Sequence, residues 1–266
     1  MHRPKILLVN DDGVHSGGIW AAYEALSEFA EVIVAAPSTQ KSAAGRSITI
    51  SSPLRINEIQ IEGKTAYSVE IQPVDALILG LYALNIKPDL VVSGINIGEN
   101  ISWESVNTSG TIGAAMESAN QGVPAIAFSL EIKNQSFKFC DPRSCRIDFS
   151  QAKDVVKKTV KYFIKNKFPK GCHVLNVNIP SGKIKGWRQT VLASRLFKTG
   201  VEKRTDPHGK DYYWICEKLA APEEKDSDYY ALTNNYVSIT PLTMDNTAWS
   251  ACDAIKDVID DIKSEK

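Results

Sequence analysis

The chain has no surplus of either charge: 31 Lys and Arg stand against 31 Asp and Glu over 266 residues. That balance argues against a broad basic face holding nucleic acid through counterion release. A single small anion needs only a local site and stays open. No apolar run approaches the ~18 residues that cross a bilayer. The opening Met1-His2-Arg3-Pro4 passes through a short apolar run straight into acid, unlike a secretory leader. The five cysteines (Cys140, Cys145, Cys172, Cys216 and Cys252) lack metal-type spacing, so they read as reduced thiols of a cytoplasmic protein. Catalytic signatures are missing as well. There is no G-x-S-x-G elbow, no G-x-x-x-x-G-K-[ST] loop, and no G-x-G-x-x-G after the first apolar run. The four histidines are scattered, and only His15 lies near a pair of acids.

What is present is a steady alternation of apolar runs and helical periodicity. Lys5–Val9, Glu31–Ala36, Leu90–Ser93 and Ala125–Ser129 read as strands buried on both faces. Between them, Ile19 to Phe29, Pro73–Leu84 and Thr111–Gln121 carry apolar residues at helical spacing. Phe149–Asn166 and His173–Ile179 continue the rhythm. The pattern predicts an α/β fold, a mostly parallel sheet with helices on both faces. Residues 45–70 look like an inserted hairpin region with short strands at Ser47–Ser51, Leu54–Ile61 and Ala66–Val69. Beyond about residue 183 come Trp187–Ala193, Tyr212–Cys216 and Tyr236–Ile239, separated by polar loops, and a last helix at Ala251–Lys263. We therefore expect a catalytic core over 1–182 and a C-terminal antiparallel extension over 183–266. With too little to form a core of its own, that extension is expected to pack across a partner subunit.

In such a sheet, ligands bind beyond the carboxyl ends of the strands. The first strand ends in Asn10-Asp11-Asp12-Gly13. Two readings fit it: a turn, for which Asp-Gly is common, or a cation site, because adjacent carboxylates repel unless a positive charge sits between them. Asn96, between two glycines after a core strand, offers a neutral oxygen of the kind Mg²⁺ accepts; it also fits a plain glycine loop. Ser42 lies in the polar loop after the second strand, where a solvated serine is equally at home. Ser109, Gly110 and Thr111 open an alanine-rich helix. Its first turn suits either a phosphate or ordinary capping. A phospho-accepting receiver domain also pairs acids after its first strand, but "LVVSGIN" ends in Ser93 and Gly94 where that domain needs an aspartate.

These residues stand in a known order. "NDDG", the loop from Pro37 to Thr49, "PDLVVSGIN.G.N" from Pro88 to Asn100, and "SGT..AA.E" from Ser109 to Glu117 occur in sequence, followed by Asp206–Ile215 and Tyr236–Leu242. In this the chain resembles the SurE family of survival-protein nucleotidases. The resemblance implies a Rossmann-like core and oligomers built through swapped C-terminal segments, a homodimer or dimer-based tetramer. It implies a phosphatase acting on nucleoside 5'-monophosphates, with 3'-monophosphates as a further class, and one divalent cation per subunit, Mg²⁺ or Mn²⁺. By motif, the metal falls to Asp11, Asp12, Ser42 and Asn96, and phosphate recognition to Asn96, Ser109, Gly110 and Thr111. Asp11, Asp12 and Asn10 are the expected catalytic set, with Asn10 orienting the reacting groups. Thr108 stands where the family has Tyr, Ile71-Gln72-Pro73 where Gly-Thr-Pro is usual, and "GENISWESVNT" lacks the family's Gly-x-Asp character. Those departures flank the expected substrate crevice, so a non-enzymatic nucleotide- or phosphate-binding module is the competing reading.

Overall fold

In β1 (Lys5–Val9) successive side chains point to opposite faces, and each face meets its own core. Ile6 and Leu8 join Ile19 and Leu26 of α1 (Gly17–Ser27) and Val156 and Val160 of α5 (Ser150–Lys165). Leu7 and Val9 join Leu77 of α2 (Pro73–Ile78) and Ile112 and Ala115 of α4 (Gly110–Asn120). Helices therefore cover both sides of the sheet, as the continuous apolar strands require. The computed structural model describes residues 3–133, 147–194, 197–219 and 224–264. Cys140 and Cys145 lie outside them.

The remaining elements are β2 (Glu31–Pro37), β3 (Ile56–Ile61), β4 (Lys64–Val69), β5 (Leu90–Ile97), α3 (Ser102–Thr108), β6 (Ala125–Leu130), β7 (Val174–Ile179), β8 (Gly186–Gln189), β9 (Phe197–Thr205), β10 (Asp211–Leu219), α6 (Asp228–Thr233), β11 (Tyr236–Leu242) and α7 (Cys252–Ser264). Nine strands form one sheet in the order β3-β4-β2-β1-β5-β6-β7-β11-β8. From β4 to β7 the neighbours run parallel. Phe128 is the largest of its fully buried side chains, and truncating it to Ala would cost about 3–5 kcal/mol.

Several expectations change in detail. Ser47–Ser51 forms no strand; the hairpin is β3 and β4 alone, paired antiparallel at the sheet edge. The single helix expected over Pro73–Leu84 is α2 followed by a π-helical turn at Leu79–Ala83. The segment after residue 183 is not wholly an antiparallel appendage. β11 pairs antiparallel with β7, and β8 pairs parallel with β11, so both strands extend the main sheet. What stands apart is the antiparallel ribbon of β9 and β10. Val201, Tyr213, Trp214 and Ile215 are exposed on it, and α7 exposes Ile255, Val258, Ile259 and Ile262 at helical spacing.

Candidate active site

β1 is flanked by β2 on one side and β5 on the other, so the strand order reverses there. A crevice opens beyond the carboxyl ends of such a pair. Into it come the turn after β1, the loop after β2, the end of β5 and the amino end of α4. Backbone contacts draw these segments tight: the Lys41 amide donates to the Asp11 carbonyl at 2.7 Å, and the Gly45 amide to the Thr108 carbonyl at 2.7 Å. Two glycines permit the approach of α4. A Cβ on Gly110 would stand 2.8 Å from the Asp11 Cβ, and one on Gly113 only 2.2 Å from the Gly45 carbonyl oxygen. Any side chain at either position would push α4 out of the crevice.

Asp11 and Asp12 are buried. The Thr111 hydroxyl donates a short hydrogen bond to Asp11 Oδ1, and the Gly110 and Thr111 amides also face that carboxylate. The positive end of the α4 dipole is therefore turned on Asp11. The Ile97 amide donates to Asp12 Oδ2 at 2.8 Å, and Gln40 Nε2 to Asp12 Oδ1 at 3.2 Å. Asp11, Gln40, Ser42, Asn96, Ile97 and Ser109 line one cavity of about 280 Å³, which Ser105 and Thr108 of α3 help to close. That is at the lower end of small-molecule sites, ~300–1,000 Å³.

Burial pushes the Asp11 carboxyl above its ordinary pKa, against the pull of Thr111 and the amides of α4. Asp12 is pushed up to about 8, by burial first and the neighbouring Asp11 charge second, against the Ile97 amide and Gln40. Among the described residues no Lys, Arg or His forms an ion pair with either acid. Two crowded, buried carboxylates without a protein cation make a site that gains by taking one from solution. Nor do three His, Cys, Asp or Glu side chains gather anywhere among the described residues. The same cavity is lined by the neutral oxygens of Asn96 and Ser42 and by the Glu99 carboxylate, and oxygen donors of this kind suit a hard cation that keeps part of its water shell.

The protein-family model for survival protein SurE matches residues 6–199. The chain belongs to the SurE family. It is 59% identical to a 5'-nucleotidase SurE of Methanocorpusculum labreanum over 262 residues, 98% of this chain and 100% of that protein. It is 43% identical to a 5'-nucleotidase SurE of Archaeoglobus fulgidus over 98% of this chain and 99% of the relative. The crystal structure of the SurE protein from Aquifex aeolicus superposes with a TM-score of 0.80 at 37% identity, covering 96% of this chain and 99% of that one.

Within this SurE fold the residues singled out from sequence are sorted by the geometry. Asp11, Ser42, Asn96 and Ser109 share the cavity. Asp12, Gly110 and Thr111 do not line it; Asp12 is held by two residues that do, and the other two hold Asp11. Asn10 is wholly buried and donates to the Gly13 carbonyl at 3.0 Å, closing the turn, while its Oδ1 has no hydrogen-bond partner among the described residues. His15 is exposed. Thr108, where the family has Tyr, spends its hydroxyl on the Glu104 carbonyl of its own helix at 2.9 Å.

Sequence reasoning missed Gln40, the Ile97 amide and a buried asparagine set joined to the cavity through Asn100, which lines it. The Asn100 amide donates to Asn178 Oδ1 at 2.8 Å, and the Asn100 carbonyl accepts from Asn176 and Asn178 at 2.8 and 3.0 Å. Asn100 Nδ2 reaches Ser129 Oγ at 2.8 Å. The signal was available: "VLNVNI" places two asparagines at alternate positions of a strand buried throughout, and buried amides need partners.

Proposed function

We propose that this 5'-nucleotidase works as a metal-dependent phosphatase, releasing phosphate from nucleoside 5'-monophosphates at the crevice beyond β1 and β5, with 3'-monophosphates as a second substrate class. The observation that carries the reading is the buried Asp11–Asp12 pair, which has no protein cation paired with it among the described residues and adjoins a cavity lined with oxygen donors. Asp11, Asp12, Ser42 and Asn96 would hold one Mg²⁺ or Mn²⁺ ion. When bound, such an ion neutralises charge on the phosphoryl oxygens and orients water. The chain's own part is preorganisation. Thr111 and the amides of Gly110 and Thr111 fix Asp11 in direction and favour its ionised form against the effect of burial, and Ile97 and Gln40 do the same for Asp12. Ser109 caps α4 by accepting the Ile112 amide at 3.2 Å, which leaves its hydroxyl proton for a phosphate oxygen. Asn96, which lines the same cavity as Asp11, would serve cation and phosphate together. Asn10 holds the turn that aims both acids.

The exposed apolar faces of the ribbon and α7 support a dimer or dimer-based tetramer built through residues beyond 183, since large uncovered patches mark interaction surfaces. Among the described residues no helix is long and apolar enough to cross a membrane. Cys172, Cys216 and Cys252 are free thiols, which suits the cytoplasm.

Phosphate release from 5'-AMP and 3'-AMP, with Mg²⁺, with Mn²⁺ and after EDTA, tests the reading. We expect turnover that EDTA abolishes and added metal restores. Turnover indifferent to EDTA would remove the metal from the mechanism. Tight AMP binding without phosphate release would make the chain a binding module instead.

A further inference from the structure

One buried carboxylate has no part in the chemistry above. Asp228, the first residue of α6, is wholly buried. Its Oδ2 accepts the Ser102 amide at 2.9 Å, and its Oδ1 accepts the Ala193 amide at 2.9 Å and the Tyr229 amide at 2.8 Å. Backbone dipoles hold this charge where a cation is the usual partner.

The amides come from separate parts of the chain. Ser102 begins α3, the helix whose Ser105 and Thr108 wall the acidic cavity. Ala193 sits on the stem by which the chain leaves the sheet for the ribbon. Asp228 ends the stem by which it returns. The stems are fastened to each other: the Val191 amide donates to the Asp226 carbonyl at 3.1 Å, and the Asp228 amide to the Val191 carbonyl at 2.9 Å. They are fastened to α3 again where the Trp103 amide donates to the Ala193 carbonyl at 3.2 Å. Ser102 itself stands at φ +69°, a left-handed conformation that a non-glycine residue rarely adopts unaided. An external acceptor for its amide helps hold that conformation.

The geometry points to Asp228 as a positioning residue, which sets the α3 wall of the substrate cavity by pinning the start of that helix to both stems of the ribbon. The inference rests on the phosphatase reading, and it assigns Asp228 to substrate fit rather than to the cation. α3 carries none of Asp11, Asp12, Ser42 or Asn96. Losing the pin therefore moves the wall against which the nucleoside lies and leaves the metal donors in place.

Asp228→Asn keeps the volume but turns one acceptor into a donor facing an amide. We expect KM for 5'-AMP to rise about tenfold, the scale of one lost charge-assisted hydrogen bond. The expected kcat stays within about threefold, and the Mg²⁺ concentration for half-maximal rate is unchanged, as for a loss of ground-state and transition-state binding alike. A merely structural role would do the reverse, lowering apparent kcat with the folded fraction and leaving KM alone. That result, or a folded variant with wild-type KM, overturns the assignment. Amide exchange on the wild-type protein decides the matter without the variant. Adenosine with inorganic phosphate should slow exchange in 191–194 and 224–229 as well as in α3, because wall and stems are pinned together. Unchanged exchange in the stems, with α3 protected, also overturns it. A wild-type protein that releases no phosphate in any metal would instead sink the phosphatase reading, with the exchange result still deciding whether wall and stems are joined.

Discussion

Asp11 and Asp12 are 4% and 5% exposed in the crevice, whereas Trp214 and Ile215 on the ribbon are 59% and 77% exposed. Both regions invert the ordinary sorting of residues, one by burying charge and the other by presenting apolar surface to water. We propose that something from outside completes each, a cation the crevice and a partner subunit the ribbon. Among the described residues, the crevice is tied down from several directions with no cation paired to its acids, and the ribbon is attached at its root with its apolar side chains exposed. The first arrangement suits chemistry, which needs fixed groups. The second suits assembly, which needs area.

The sharpest way to break the contrast is to remove a crevice charge. Asp11→Asn and Asp12→Asn should each cut phosphate release by roughly 10³-fold, since each would remove one of the two charged donors proposed for the transition-state-stabilising ion. Metal affinity should fall in parallel by titration, while the melting temperature without metal stays level or rises, because the crowding of the two acids is relieved. Full activity with the full metal-induced thermal shift in either variant would return "NDDG" to being a turn.

Next in size is Thr111→Val, which keeps volume but takes the hydroxyl from Asp11 Oδ1. Losing one hydrogen bond to a charged group is worth about 10–100-fold in rate. Turnover within threefold of wild type at saturating metal would show that the Asp11 carboxylate needs no such support.

A smaller effect should appear as a pH slope. Asp12 is raised to about 8, above the ~4 of an unfolded aspartate. Its ionisation therefore opposes folding: the contribution of Asp12 to the stability of the metal-free protein is fullest below about pH 4 and is lost as pH rises toward 8, by up to roughly 1 kcal/mol per pH unit. Saturating Mg²⁺ should flatten that slope and release protons on binding near pH 6, measurable by calorimetry in two buffers of different ionisation enthalpy. A metal-free melting temperature that climbs steadily from pH 5 to 8 would contradict it.

The smallest catalytic effect belongs to the ribbon. Trp214→Ser combined with Ile215→Ser should shift sedimentation toward the monomer while kcat stays within about twofold, because the pinning at the root is untouched and only buried apolar area at the interface is lost. An unchanged oligomer would show that this face is not the contact.

Much of this was legible in the chain. Lys5–Val9, Glu31–Pro37 and Ala125–Leu130 are apolar throughout or nearly so, and a strand buried on both faces has to be. β9, by contrast, reads "FKTGVEKRT"; an exposed ribbon imposes no apolar pattern, so nothing marked it as a strand. The parallel pairing of β8 with β11 joins residues about fifty positions apart through backbone alone, which side-chain periodicity does not encode. At the site, residue type and position, at strand ends for Asp11, Asp12 and Asn96 and at a helix start for Ser109, were enough to single these residues out as candidates. That Thr111 serves Asp11, and that Gln40 serves Asp12, depends on how α4 and the loop after β2 approach the turn. The glycines hint at this approach, but only the packed sheet specifies it.

The bonds that aim the two acids have a consequence in time. Thr111 reaches back 100 residues to Asp11, and Ile97 reaches 85 to Asp12. Contacts of such sequence separation form slowly, after long stretches of chain have been gathered together. A growing polypeptide thus holds "NDDG" from its first moments, but its two acids gain these hydrogen-bond partners only when β5 and α4 have emerged and docked.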